Sequence, residues 1–423
     1  MTADYNIISE WLSTIPEFAD NAPGRHHKRL PSPPMSSDDA SPSKRPCPDP
    51  DATLTKPRAT GPMGKSAPSD GLGDGSSNAS SRSSSNRSRS SPTKGLAFLR
   101  IEHIIVHRSF RGQKAPPPAL KEIVWHIKQD AFGMDIFSPS DIDVIRATAN
   151  PIFDELLDTP RLVDLTGKRE ELGKLPDIDT ILNIWEEAQD CELDGHSEAS
   201  WNCAVHYPLL NAALRLAKVN QPDVQKQVQI KAFNVTTAQV PRPYATYTTN
   251  TSYNKRIDFC ISIKPERESP LSDALYRVAQ QSAHLSVNHT DYTPLINSPI
   301  SLSIETKRTG QDWEAALQQV STWMAGHWKR LRELAQESGA EGLEFLPGII
   351  IQGHDWMFIA ATQGRVLDGN DRETIIWSKI PIGSTDGIQG ICQIITVLQR
   401  LATWSAQSHW PWFQRTVLGS GDT

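Results

Sequence analysis

A mixed α/β domain built around a central sheet is the fold class this 423-residue sequence predicts, and three observations carry it. The composition changes near Gly95, from a Pro, Ser, Asp, Lys and Arg tract to a chain with regular apolar positions. The apolar spacing then changes near residue 228, from a helical period to the alternation of strands. Beyond that point the order is three strands behind a long helix, a second helix, further strands and a closing helix.

Each element follows from local pattern. In MTADYNIISEWLSTIPEFAD, Ile8, Trp11, Leu12 and Ile15 recur at helical spacing until Pro16 ends the stripe. Residues 1–20 therefore read as an amphipathic helix that docks on the folded domain or binds a protein partner. Residues 21–95 read as a disordered Ser/Pro-rich linker; positions 76–94 hold ten Ser, three Arg and one Lys with no acid, too little apolar surface to offset chain entropy. Residues 96–190 form a mainly helical lead-in, with ALKEIVWHIKQDAF and IDTILNIWEEAQD at helical spacing and SPSDIDVIRATANPIFDELL as a capped helix. The core spans 191–410. It opens with HSEASWNCAVHYPLLNAALRLAKV, which sets Trp201, Val205, Leu209, Ala212 and Leu216 on one face and is kinked or divided at Pro208. VQIKAFNVTTA, RIDFCISI and ISLSIETK are strands, rich in β-branched and aromatic residues. DWEAALQQVSTWMAGHWKRLRELAQE is an amphipathic helix capped by Asp312. PGIIIQG, DWMFIAAT and TIIWSKIPIGST are three more strands, and TDGIQGICQIITVLQRLATWSAQ closes the domain.

One triple in this array carries charge at a strand exit. Glu305-Thr306-Lys307 is the only Asp/Glu-x-Lys sequence in the chain, and side chains alternate along a strand, so Glu305 and Lys307 share a face. If RIDFCISI pairs with ISLSIETK with ends aligned, Asp258 joins them. Two carboxylates there can bind a hard divalent cation such as magnesium, with manganese as a substitute. Such an ion polarises a phosphoryl oxygen and activates water, while Lys307 orients that water and offsets charge on phosphorus. An ion-pair cluster at a strand edge, with no turnover, explains the same residues.

The triple in this setting resembles the PD-(D/E)XK nuclease superfamily, a restriction-endonuclease-like αβββαβ core with a mixed central sheet. That resemblance implies an acid on the second core strand (Asp258) and the acid-x-Lys on the third (Glu305, Lys307). It further implies an auxiliary metal-facing acid on the leading helix, Glu198 in SEASWNCAVHYPLL, and a glutamine motif in LQQVSTW, with Gln319 and Trp323 for Gln and Tyr. The EWL helix, the Ser/Pro-rich linker, SxxWN, ETK, IIIQGHDW and IGST together resemble a fungal PD-(D/E)XK nuclease-like group. The resemblance covers about residues 130 to 410. Two departures stand out. Ile257 occupies the Pro position of the "PD" pair, and PERESPLSDALYRVAQQSAHLSVNHTDYTPLINSP separates Asp258 from Glu305 and must loop out of the sheet. The literal pairs Pro176-Asp177 and Pro222-Asp223 are decoys outside that strand pattern.

Bland readings accompany each feature. Glu198 can be a solvated first-turn acid. Gln319 can bond backbone, and Trp323 reads as core. His103 and His107 in HIIVH lack a third zinc ligand, and the β-branched residues between them favour a strand. GHDW is a turn first and a site edge second. HWKRLRE is a solvated face, or less simply the wall of a nucleic-acid groove. The net charge of −6 does not suit a protein that coats nucleic acid by charge, yet a nuclease needs only a local basic groove. Five scattered cysteines with no CxxC spacing point to a reducing compartment. No apolar run reaches membrane-spanning length and no signal-peptide pattern opens the chain. Nucleus or cytoplasm is the expected location, with HHKRL and SKRP as weak import signals. DNA or RNA is the expected partner of an active enzyme. The alternative is a catalytically inactive nuclease-fold scaffold or accessory factor, a role that the fungal resemblance places in specialised-metabolite pathways.

Overall fold

The computed structural model describes residues 91–220, 228–247, 252–253, 256–310, 313–336, 340–367 and 371–419. The N-terminal helix expected at 1–20, nearly all of the linker, the basic clusters, Pro222-Asp223 and the Asp312 cap lie outside the described residues. The described chain starts a few residues before the expected end of the linker. Ser91 accepts from the backbone N–H of Lys94, Pro92 fills the first turn, and helix α1 (Pro92–Ile101) begins there.

The lead-in is helical, as its spacing predicts, but it also supplies a strand. Strand β1 (Ile105–Ser109) takes in the end of HIIVH, which is a strand and not a ligand pair. Helix α2 (Pro118–Ala131) follows. The single capped helix expected next is α3 (Pro139–Ala147), opened by a reciprocal Ser138–Asp141 capping box, and a separate short α4 (Asp154–Leu157). Pro151 causes the division, because it cannot continue a helical hydrogen-bond ladder. A one-turn α5 (Lys168–Leu172) precedes α6 (Ile178–Leu193), whose cap is Asp177 of the decoy pair, accepting from Thr180 N at 2.8 Å.

The long helical pattern of 196–219 is divided as Pro208 requires. It comprises α7 (Glu198–Trp201), a π-turn (Asn202–His206) and α8 (Tyr207–Leu216). The extra residue of the π-turn advances the apolar stripe. Past Leu209 the buried positions become Leu210, Ala213 and Leu214, while Ala212 and Leu216 are only partly covered.

Among the described residues there are nine strands: the six expected from alternation, β1, and two short ones that the pattern does not signal. Beyond β1 they are β2 (Val228–Asn234), a two-stranded ribbon of β3 (Thr246–Tyr247) and β4 (Ser252–Tyr253), β5 (Phe259–Pro265), β6 (Ile300–Lys307), β7 (Leu346–Gln352), β8 (Asp355–Val366) and β9 (Arg372–Ser384). Seven of them form one mixed sheet in the order β1-β9-β8-β7-β6-β5-β2. Strands β2, β5 and β6 run as an antiparallel meander, and β7 lies parallel to β6 after a long crossover helix, α10 (Trp313–Ala335). Every residue of β6 before Lys307 is buried, so both sheet faces are covered. Helix α11 (Ile388–Trp404) packs on β9 and on α8, and the closing α12 (Trp410–Val417) follows a second π-turn.

Two expectations are corrected. HWKRLRE is a solvated face only in part: Lys329 and Glu333 are exposed, but His327, Trp328, Arg330 and Leu331 are buried, and Arg330 donates to Tyr244 Oη and to the Ser286 carbonyl. Helix α10 lies between the sheet and the residues around Tyr244 and Ser286, which bury its far side. The insertion between β5 and β6 does not simply loop out. It forms α9 (Pro270–Gln280) and then a buried polar stretch in which Asn288 donates to the Leu295 and Ser298 carbonyls and accepts from Ile300 N.

Candidate active site at the β5–β6 exit

The site is built by strand register. Phe259 pairs with Ile304, and Asp258 N donates to the Ile304 carbonyl at 3.2 Å, so Asp258 stands across from Glu305 where β5 begins. Antiparallel neighbours directly opposite share a face. Asp258 Oδ2 accepts from both Thr306 N and Thr306 Oγ1, each at 2.9 Å. One residue further, the Lys307 ammonium turns back and donates to Glu305 Oε1 at 2.5 Å and to the Thr306 carbonyl at 2.8 Å.

Helix α7 supplies the third acid. Ser197 caps it by accepting from Ser200 N, which places Glu198 in the first turn, and Glu198 Oε2 lies 3.5 Å from Lys307 Nζ. Gln319, on α10, donates from Nε2 to the Arg256 carbonyl at 3.2 Å. It thus bonds backbone two residues before Asp258 and does not itself touch the carboxylates. Trp323 is fully buried, as its core reading predicts.

The electrostatics follow from three carboxylates around one ammonium. Burial pushes the Glu305 carboxyl well above the usual carboxylate range, and the Asp258 charge adds to this. Burial likewise raises Glu198, with Lys307 opposing it. Burial alone would lower Lys307, but the Glu305 carboxylate, then Glu198 and Asp258, hold it above its ordinary value. For the two acids burial is the main cause and the neighbouring carboxylates add to it; for Lys307 those carboxylates outweigh burial. Glu305 Oε2 is buried and has no hydrogen-bond partner. An orphaned carboxylate oxygen is costly, on the order of 1–3 kcal/mol or more. Asp258, Glu305 and Glu198 offer only oxygen donors, the type a hard divalent cation prefers, and Glu305 Oε2 is open, so the donor chemistry fits the ion the resemblance implies.

From sequence, Thr306 has no role beyond the middle of the triple, and Gly353 none beyond the GHDW turn. Gly353 N donates to the Lys307 carbonyl at 2.8 Å, and its φ of +56° belongs to the left-handed region. A Cβ there would meet Thr309 Oγ1 at 2.0 Å. The only sequence signal for this position is the Gly of GHDW at a strand end.

A mixed sheet with the β2–β5–β6 meander, the crossover α10 and acids at the β5–β6 exit defines a nuclease-type α/β fold. A family model described as the PD-(D/E)XK nuclease superfamily matches residues 147–410, and the chain belongs to that superfamily. Neither the curated proteins nor the solved structures gave a match. Members of the superfamily generally use a divalent metal. Among the described residues, no helix is long and apolar enough to cross a membrane.

Proposed function

We propose that this protein is a metal-dependent phosphodiester hydrolase acting on DNA or RNA, in the nucleus or cytoplasm, with Mg2+ as its ion and Mn2+ as a substitute. The observation that carries this reading is the orphaned, fully buried Glu305 Oε2 beside Lys307. Asp258 and Glu305 would hold the ion, with Glu198 as the auxiliary ligand. When bound, such an ion polarises the phosphoryl oxygen and lowers the pKa of water. Lys307, which donates to Glu305 Oε1, would hold and orient the attacking water and stabilise charge on the phosphorus. Thr306 keeps Asp258 in place with two hydrogen bonds, and Gln319 fixes the backbone that leads into it. A protein partner would be recruited by the N-terminal segment.

The test is cleavage of single- and double-stranded DNA and RNA by the full chain with Mg2+ or Mn2+, beside Lys307→Ala and Glu305→Gln. Loss of at least about 100-fold in both variants is expected from removing the water-orienting and metal-holding groups. Cleavage that persists in both places the activity elsewhere. No cleavage by any form, together with no binding of Mn2+ that depends on Glu305, leaves the scaffold reading.

A further inference from the structure

A second group of ligating side chains lies outside the acidic cluster at the β5–β6 exit. Glu192 at the end of α6, His354 in the β7–β8 turn and Asp386 in the β9–α11 turn each bring one donor atom to within 4.8 Å of the others. His354 Nε2 is already 3.1 Å from Glu192 Oε2. We propose that these three residues form a site for a divalent transition ion, of which Zn2+ is the best fit.

Three independent features support it. First, the imidazole is held for ligation: His354 is 7% exposed, its Nδ1 bonds Thr385 Oγ1 at 2.9 Å, and its carbonyl accepts from Thr385 N at 3.1 Å. The Trp201 ring lies edge-on to it at 4.9 Å. Toward the Glu192 carboxylate, which only accepts, Nε2 carries the imidazole proton; a bound ion would favour the other tautomer, with Nδ1 donating to the Thr385 hydroxyl and the Nε2 lone pair on the metal, the arrangement by which a metal-binding His is oriented. Second, no lysine or arginine among the described residues offsets the two carboxylates. Glu192 lies in the last turn of α6, which has no basic residue, Asp194 is its C-cap, and a helix C-terminus is itself negative. Among the described residues, neither Glu192 nor Asp386 has a Lys or Arg partner. Third, the Asp386 backbone is already clasped to the same helix, its carbonyl accepting from Trp185 Nε1 at 3.0 Å and Gln189 Nε2 at 3.4 Å. One nitrogen and two carboxylate oxygens suit zinc, whose donors stand roughly 3.4 Å apart in a tetrahedron. Both carboxylates are exposed and free to close that far, which leaves the fourth position to water.

An ion there would tie α6 and two turns together. One of those turns contains Gly353, whose N–H holds the Lys307 carbonyl, so the ion would stiffen the neighbourhood of the acidic cluster without belonging to it. The site rests on residues that the nuclease reading does not use.

The experiment is calorimetric titration of the chelator-treated full chain with ZnCl2, for wild type, His354→Gln, Glu192→Gln and Glu305→Gln, supplemented by Co2+ absorption as a probe of imidazole ligation. Glu192 is exposed, so its substitution leaves folding intact. Wild type and Glu305→Gln are expected to share a Zn2+ event that weakens at least about 100-fold in His354→Gln and Glu192→Gln, with Thr385→Val weakening it about tenfold. Equal Zn2+ affinity in wild type and Glu192→Gln, or a Zn2+ event lost only in Glu305→Gln, would overturn the proposal.

Discussion

Thr306 shows how one side chain supports the acidic cluster without facing it. Its amide and its hydroxyl both end on Asp258 Oδ2, so the aspartate is held by the strand that carries Glu305. Thr306→Val keeps the shape and the amide bond but removes the hydroxyl. We expect cleavage, or Mn2+ affinity, to fall about 10–100-fold, the usual cost of losing a group that orients a ligand, while the melting temperature moves little. A Thr306→Ser variant should recover most of the loss. The acids themselves were legible: Glu305-Thr306-Lys307 is unique in the chain, and alternation along a strand gives its facing. Thr306 was not, because alternation assigns it to the other face, and only the paired register brings Asp258 within reach of its hydroxyl. Gly353 was legible as part of the GHDW turn, but its bond to Lys307 was not, since that depends on where the β7–β8 turn falls.

Among the elements, the insertion between β5 and β6 departs furthest from its sequence pattern. SAHLSVNHTDYTPLINSP is polar, and polar stretches between strands read as surface loops. Here the polar groups are buried because they satisfy one another. Asn288 alone makes three backbone hydrogen bonds, at 2.7, 3.0 and 2.9 Å, the last to the first residue of β6. Asn288→Ala should therefore destabilise the protein by about 3 kcal/mol, since buried backbone groups are left unpaired. Urea unfolding would read this as a lower midpoint with an unchanged slope. A midpoint equal to wild type would show that the insertion is dispensable. Strands β6 and β7 lie at or within a residue of their expected bounds because Ile and Leu recur along them and they end at charge or glycine. Helix α10 was legible in extent but not in burial. Its Lys and Arg residues suggested an outer face, whereas Arg330 is enclosed by Tyr244, Glu333 and Ser286.

Across the molecule, histidine sets the response to acid. His107 and His206 are pushed down to about 4 by burial, and His289 and His409 to about 3. His327 is likewise held well below its usual range by burial. Each binds protons less readily folded than unfolded, so its contribution is fully present above pH about 6.5 and is lost as pH falls toward 4. Each pH unit of depression is worth about 1.4 kcal/mol, and five such groups act together. Calorimetry should show the melting temperature falling steeply between pH 6.5 and 4. His409→Phe should flatten that slope, because both His409 nitrogens are buried without a partner among Trp404, Trp412 and Phe413. A pH profile identical to wild type would exclude His409 from the effect.

The family match begins at residue 147, yet the sheet does not. Strand β1, at 105–109, covers the outer edge of β9 in parallel register from Thr374 to Ser378. Asp130, on α2, grips Arg400 through two hydrogen bonds of 2.6 and 2.8 Å. A polypeptide trimmed to 147–410 would bare a row of unpaired backbone amides and carbonyls along the thirteen-residue β9. Such an edge invites strands from other copies, so the trimmed form should aggregate where the longer one stays dispersed.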